Sequence, residues 1–249
     1  MIERAICEAV FREAVVACDP AARVHEALAR NPLRGRQVIG LAIGKAAIAM
    51  ARGAGPAARG LVVAPRGRVT VTSWSDATGR PDVVPVTRSA DEALPAGWSL
   101  LHAAHPMPDE TSFAAGAAAI QLVESAGADD VVLALVSGGA SALVEQPRPG
   151  LSVDEYRERV RELMASGAPI AELNRVRTEL SAIKGGKLAA RSKAPVVTLV
   201  VSDVIGDDPR VIGSGPTVAD PLRPGDRVEV IAPMASFGFA VADALEGRG

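Results

Sequence analysis

Asp129-Asp130-Val131-Val132-Leu133-Ala134-Leu135-Val136-Ser137-Gly138-Gly139-Ala140-Ser141-Ala142-Leu143-Val144-Glu145-Gln146 is the stretch that decides the fold. Two acids open it, and six apolar residues follow, too few for a helix that packs alone and rich in Val and Leu. Such a run reads as a strand buried on both faces, as in a parallel sheet. Ser137-Gly138-Gly139 then breaks it. At the carboxyl end of a parallel strand, two glycines let successive backbone N–H groups turn toward one point. That concavity favours an anion, and Ser137 and Ser141 add hydroxyls at its rim. A plain strand-to-helix turn accounts for Gly-Gly equally well.

Outward from this stretch, strands alternate with helices. Apolar runs predict strands at 38–43, 60–64, 100–104, 196–201 and 228–232. Helical spacing predicts helices over 2–18, over 20–30 with Asp19 as N-cap and Pro20 in the first turn, and from Gly44 to Ala54. Further helices are predicted over 109–125 and over 152–167, the latter with Ser152 as N-cap and Glu155 completing a capping box. The span 170–190 reads as helix interrupted at Lys184-Gly185-Gly186, and 236–245 as a last helix. Residues 65–95 read as loop with one weak strand near Val83–Val86. The alternation predicts an α/β fold with a mainly parallel sheet. Ligands of such sheets sit beyond the carboxyl ends of the strands. The loops at 44–46, 105–109, 137–141 and 202–208 all follow strands.

Composition narrows the function classes. Hydrophobic residues make up 48% of the 249, enough for a sizeable core, but aromatics are only 3%, so that core is built from Ala, Val, Leu and Ile. Few aromatics leave little for base stacking, and a net charge of −2 gives no basic footprint, so nucleic acid is not an expected partner. No apolar run is long enough to span a bilayer, and Met1-Ile2-Glu3-Arg4 opens no signal-peptide core. A cytoplasmic location is expected. Cys7 and Cys18, eleven apart on one helix, read as buried free thiols in a reducing compartment.

Several segments carry candidate chemistry. Gly40-Leu41-Ala42-Ile43-Gly44-Lys45-Ala46 is not a Walker A loop, because the glycine spacing is one short and Ala46 replaces the magnesium-binding hydroxyl. No Gly-x-Gly-x-x-Gly follows a strand, which argues against a nicotinamide enzyme. Lys45 sits at a strand-to-helix turn, where an ammonium meets substrate anions or simply faces solvent. His105 lies in a loop pinned by Pro106 and Pro108, with Asp109 four residues on; it suits acid–base or binding work, or a structural role. Asp203, Asp207 and Asp208 crowd one strand-end loop, which suits magnesium beside a phosphate, or turn formation. Asn174, Arg177 and Lys184 fall on one helical face, as functional residues or as a solvated stripe.

Taken in order, these motifs form a pattern. Gly44-Lys45-Ala46-Ala47, His105-Pro106-x-Pro108-Asp109-Glu110, Ser137-Gly138-Gly139-x-Ser141-Ala142-Leu143, Asn174-x-Val176-Arg177 running on to Lys184-Gly185-Gly186, Ser202-Asp203-Val204-x-Gly206-Asp207-Asp208 and Ser214-Gly215-Pro216-Thr217 follow one another. Over roughly residues 36–220 the chain resembles the N-terminal domain of class II glycerate kinases, the glycerate 2-kinase family, some members of which carry the label hydroxypyruvate reductase. The resemblance implies a Rossmann-like three-layer α/β/α domain and ATP-dependent phosphorylation of D-glycerate at its 2-hydroxyl, with Mg2+. It implies that Lys45 neutralises charge on the transferred group and that Asp203 and Asp207 hold magnesium or polarise the attacking hydroxyl. Ser137, Gly138, Gly139 and Ser141 would seat the substrate carboxylate or phosphate, with His105, Asn174, Arg177 and Lys184 completing the substrate site.

Family members continue into a second, MOFRL lobe, and their active site lies between the lobes. Residues 1–249 correspond to the first lobe alone, so the expectation is a homodimer or a separate subunit that supplies the second. The alternatives are a catalytically silent ligand-binding or regulatory module of the same fold and, less favoured, a hydroxypyruvate reductase.

Overall fold

The computed structural model describes residues 4–33, 35–66, 69–74, 81–85 and 93–233. In chain order the elements are α1 (Arg4–Ala17), α2 (Pro20–Arg30), β1 (Val38–Ile43), α3 (Ala47–Ala54), β2 (Arg59–Pro65), β3 (Val69–Trp74) and β4 (Pro81–Pro85). They continue with β5 (Trp98–Ala103), α4 (Glu110–Glu124), β6 (Val131–Ser137), α5 (Ala140–Leu143), α6 (Val153–Ala165), α7 (Ile170–Leu180), β7 (Val196–Val201) and β8 (Arg227–Ala232). The predicted helix over 236–245 lies outside the described residues.

β6 is buried along its whole length, and the reason is its place in the sheet. It pairs in parallel with β1 on one side and β7 on the other. The six-stranded sheet has the order β5-β2-β1-β6-β7-β8, all parallel. The chain thus builds outward from β1 through β2 to β5, returns to the other side of β1 with β6, and builds outward again. Counting only these six strands, that is the 3-2-1-4-5-6 order of a Rossmann fold, and its reversal falls between β1 and β6.

Alternate residues of the central strands feed two cores. Ile39, Leu41, Ile43, Val132, Ala134 and Val136 point to one face, where Ala115, Ala119 and Val123 of α4 cover them. Ala42, Leu133, Leu135 and Leu199 point to the other, under Val24 and Ala27 of α2 and Met50 and Ala51 of α3. The result is the predicted three-layer α/β/α arrangement. Glycines let its layers close. A Cβ on Gly40 would fall 2.3 Å from the Trp98 ring, and one on Gly53 2.1 Å from the carbonyl oxygen of Ala21.

Three expectations are corrected. The span 65–95 holds an antiparallel hairpin of β3 and β4 rather than one weak strand. The helix expected over 170–190 ends at Leu180: Ser181 is extended and bridges Pro147, and Gly185 and Gly186 take positive φ of 63° and 77° that end any continuation. Only a three-residue 3-10 turn, Ala189–Arg191, follows. Cys7 is exposed and Cys18 half-buried, not buried, because α1 is peripheral and only Val10 among its described side chains reaches the core.

Candidate active site

The loops after β1 and β6 flank the point where the strand order reverses, and they are stitched together there. The Lys45 N–H donates to the Gly138 carbonyl at 2.9 Å, and the Ala46 N–H donates to Ser137 Oγ at 3.1 Å. Gly44 makes the stitch possible. Its φ is 129°, and a Cβ there would fall 2.1 Å from Ser137 Oγ. Ser137 is 1% exposed, and its hydroxyl, expected at the rim of the concavity, is used inside the stitch instead.

The Gly138-Gly139 turn is bare because three other loops close on it. A Cβ on Gly138 would fall 1.9 Å from Asp203 Oδ2, on the loop after β7. A Cβ on Gly139, whose φ is 89°, would fall 3.1 Å and 3.2 Å from His105 Cδ2 and Nε2 and 3.4 Å from Lys45 Cγ. His105 comes from the loop after β5, the edge strand three positions from β6, so this loop reaches back across the strand ends. It is tied down where Asp109, the N-cap of α4, forms a capping box with Ser112 and an ion pair with Arg66. Lys45, His105 and Asp203 are all exposed around the turn. Partial desolvation of the ring, which the side chain's overall exposure does not prevent, and the Lys45 ammonium hold His105 below the ordinary histidine value, against the pull of Asp203. The imidazole is therefore neutral at pH 7 and can accept a hydrogen bond.

The remaining predicted residues do not share one setting. Ser141 Oγ is half-buried and shares a hydrogen bond with Ser214 Oγ at 2.9 Å; Ser214 sits in a left-handed run with Gly213 and Gly215, at φ of 63°, 59° and 52°. Arg177 and Lys184 stand behind the Ser141 turn rather than in the open. Lys184 is 1% exposed, and its ammonium donates to the Ser141 carbonyl at 2.9 Å and pairs with Glu145 at 2.6 Å. Asn174 is half-buried on α7, and its carbonyl accepts the Thr178 hydroxyl at 2.8 Å; among the described residues no hydrogen bond ties its side chain to the turn. Asp207 lies four residues beyond Asp203 with φ of 54°. Asp208 is taken up by Arg210, which also pairs with Asp220.

Among the described residues no group of three or more His, Cys, Asp and Glu forms a metal cage. Magnesium needs none: it keeps waters and takes one or two carboxylates plus substrate oxygens. The exposed carboxylate of Asp203 against Gly138 fits that habit. A separate cavity of about 750 Å³ lies between α4, α6 and the loop before α4, lined by Met107, Phe113, Tyr156, Val160 and Met164 among others, and contains none of the predicted site residues.

Sequence reasoning assigned no role to Glu145, Tyr156 or Ser181, although Ser181 falls within the motif that runs from Asn174 to Gly186. The signal for Glu145 was an acid inside the run Ala142-Leu143-Val144-Glu145, at a position that is 0% exposed.

Comparison with known proteins gives this geometry a family. Residues 6–242 match the model of a domain of unknown function, DUF4147. The D-glycerate 2-kinase of Thermotoga maritima is 35% identical over 95% of this chain and 52% of its own. A putative hydroxypyruvate reductase of Agrobacterium vitis is 41% identical over 92% of this chain and 48% of its own. The crystal structure of glycerate kinase from Thermotoga maritima superposes with a TM-score of 0.77 at 27% identity, covering 98% of this chain and 62% of that one. The chain spans about half the length of the curated relatives it matches. No helix among the described residues is long and apolar enough to cross a membrane. By the match over nearly its whole length, and by its kinship with the glycerate 2-kinases, the chain belongs to the DUF4147 family, within the glycerate kinases.

Proposed function

We propose that the chain forms the phosphate-handling half of a glycerate 2-kinase, transferring the γ-phosphoryl group of ATP to the 2-hydroxyl of D-glycerate. One observation carries the reading: an ammonium, a neutral imidazole and a carboxylate from three different loops meet around a Gly-Gly turn at the reversal of the strand order. Phosphoryl transfer asks for positioning and charge neutralisation more than for covalent chemistry, and these are the groups it uses. Lys45 neutralises charge on the transferred group. The Ala142 and Leu143 N–H groups donate to the Gly139 carbonyl, whereas those of Ala140 and Ser141, which open α5, make no backbone hydrogen bond among the described residues and face an anion in this reading. His105 accepts a hydrogen bond from a substrate hydroxyl. Asp203, with Asp207 as a second carboxylate, would hold Mg2+, which when bound supplies positive charge to the phosphate oxygens. The second wall of the cleft comes from a second lobe, which lies outside residues 1–249.

The experiment is a direct product analysis. The purified chain is incubated with ATP, Mg2+ and D-glycerate, alone and with a glycerate kinase second lobe added. Formation of 2-phosphoglycerate, resolved from the 3-isomer by 31P NMR, is the expected result in at least the reconstituted sample. Thermal stabilisation by D-glycerate or ATP–Mg2+ without product would mark a binding module, since a ligand of the folded state alone must raise the melting temperature. Oxidation of NADH by hydroxypyruvate, with no phosphoglycerate formed, would replace the proposal with the activity for which the Agrobacterium relative is named.

A further inference from the structure

Four residues are too few to hold α5 in place. Its i→i−4 bonds run from the Leu143 N–H to the Gly139 carbonyl at 3.4 Å and from the Val144 N–H to the Ala140 carbonyl at 3.2 Å. The next donor, the Glu145 N–H, turns away to the Ser112 carbonyl at 3.2 Å. The Ser141 carbonyl thus lacks the backbone donor that a longer helix would give it. Two cations take its place: Lys184 Nζ donates to it at 2.9 Å and Arg177 Nη2 at 3.0 Å.

One carboxylate faces both. Glu145 Oε2 lies 2.6 Å from Lys184 Nζ and 3.8 Å from Arg177 Nη2. It also accepts the Tyr156 hydroxyl at 2.6 Å, while Oε1 accepts the Ser181 hydroxyl at 2.6 Å and the Gln146 N–H at 3.0 Å. So saturated, the Glu145 carboxylate has little freedom to move, and the ammonium that it pairs with is fixed with it.

We infer that Glu145 is a positioning residue: it holds Lys184 and Arg177 on the Ser141 carbonyl and so fixes the Gly138–Ser141 turn as an anion seat. The inference rests on the reading of that turn given above. Its action is indirect, since Glu145 is buried and meets no ligand.

The test uses Glu145→Gln, with Tyr156→Phe as a milder variant that keeps the charge and removes one bond to Oε2. Backbone amide shifts of Gly138 and Gly139 report the turn without any ligand, and those of Gly40 and Gly60, in β1 and β2, serve as remote controls. Calorimetry with ATP–Mg2+ and with D-glycerate reports the seat. In Glu145→Gln the amides of Gly138 and Gly139 should move while the controls stay, and affinity for whichever ligand binds should fall about tenfold, the low end of what outer-shell partners are worth at metal sites. In Tyr156→Phe both changes should be smaller and in the same direction. A folded Glu145→Gln protein with unmoved Gly138 and Gly139 amides and unchanged affinity overturns the inference. If Glu145→Gln does not fold, an unmoved turn in Tyr156→Phe overturns it instead. Should the unmodified chain bind neither ligand, the anion-seat reading fails, and the amide shifts still decide whether Glu145 positions the turn.

Discussion

Lys45 and Lys184 show how far the surroundings of one residue type can diverge within a single site. Lys45 is exposed and stands over Gly139; Lys184 is sealed in and spent on Glu145 and the Ser141 carbonyl. If the chain carries out the proposed phosphoryl transfer, Lys45→Ala should lower turnover about a hundredfold, or about 3 kcal/mol of transition-state stabilisation, while glycerate affinity changes little, because the charge it meets grows during transfer. Steady-state kinetics alongside calorimetric binding separates the two effects; equal losses in both would assign Lys45 to ground-state binding. His105 gives a second prediction. Its imidazole resonances should titrate below 6.5, and Lys45→Ala should move the midpoint upward, because the loss of a neighbouring ammonium favours the imidazolium. A midpoint that does not move on that substitution would place the two side chains out of electrical contact. Neither relation could be read from the sequence, where His105 and Lys45 are 60 positions apart.

At the scale of elements, local chemistry was the legible part. Asp19 and Ser152 cap helices as their spacing predicts, and Glu155 closes its box. The buried strands were visible as apolar runs. The end of α7 was not, because Ser181 leaves the helix to meet Glu145, 36 residues earlier in the chain, and no local pattern carries that partner. The first strand of the β3–β4 hairpin was missed for a related reason: its mixed run Val69-Thr70-Val71-Thr72 has no long apolar stretch, and its partner strand lies outside the main sheet. Trp98 supplies a test of how tightly the elements are layered. Its ring crosses Gly40 of β1 and Gly60 of β2, and its indole N–H donates to the Gly55 carbonyl at 2.9 Å. Gly40→Ala should cost about 1–3 kcal/mol in chemical denaturation, as the anchored ring has to shift to admit a methyl group. A stability equal to that of the unmodified chain would mean that the ring slides freely.

For the molecule as a whole, strand order was the quantity the sequence withheld. Six strands with helices between them allow several parallel sheets, and only the pairing of β1 with β6 places the Lys45 and Ser137–Ser141 loops side by side. The buried ionic cluster behind them should also shape the response of the whole fold to acid. Burial alone would raise the Glu145 carboxyl, but the Lys184 charge and the hydrogen bonds from Lys184, Ser181 and Tyr156 outweigh it and hold the group below the usual range. A folded-state value below the unfolded one means that this stabilisation is present above the ordinary glutamate range and is lost as the pH falls through the folded value. The unmodified chain should therefore lose stability in acid more steeply than Glu145→Gln, measured as denaturation midpoints from pH 7 down to pH 3. Parallel curves for the two proteins would remove Glu145 from the acid response.

The position of β1 at the middle of the sheet has a consequence for how the protein is made. One long edge of β1 is satisfied as soon as β2 emerges, but its other neighbour, β6, is not synthesised until residue 137. During that interval a nascent chain carries an apolar strand with a row of unanswered N–H and C=O groups, the kind of edge that recruits wrong partners or chaperones. The docking of β6 closes that edge, and in the same event it brings Gly138 to the Lys45 N–H. Ribosome-bound chains of increasing length should therefore change abruptly from protease-sensitive to protease-resistant over β1 once β6 has cleared the exit tunnel. The candidate cleft is then born at the step that ends the period of greatest aggregation hazard.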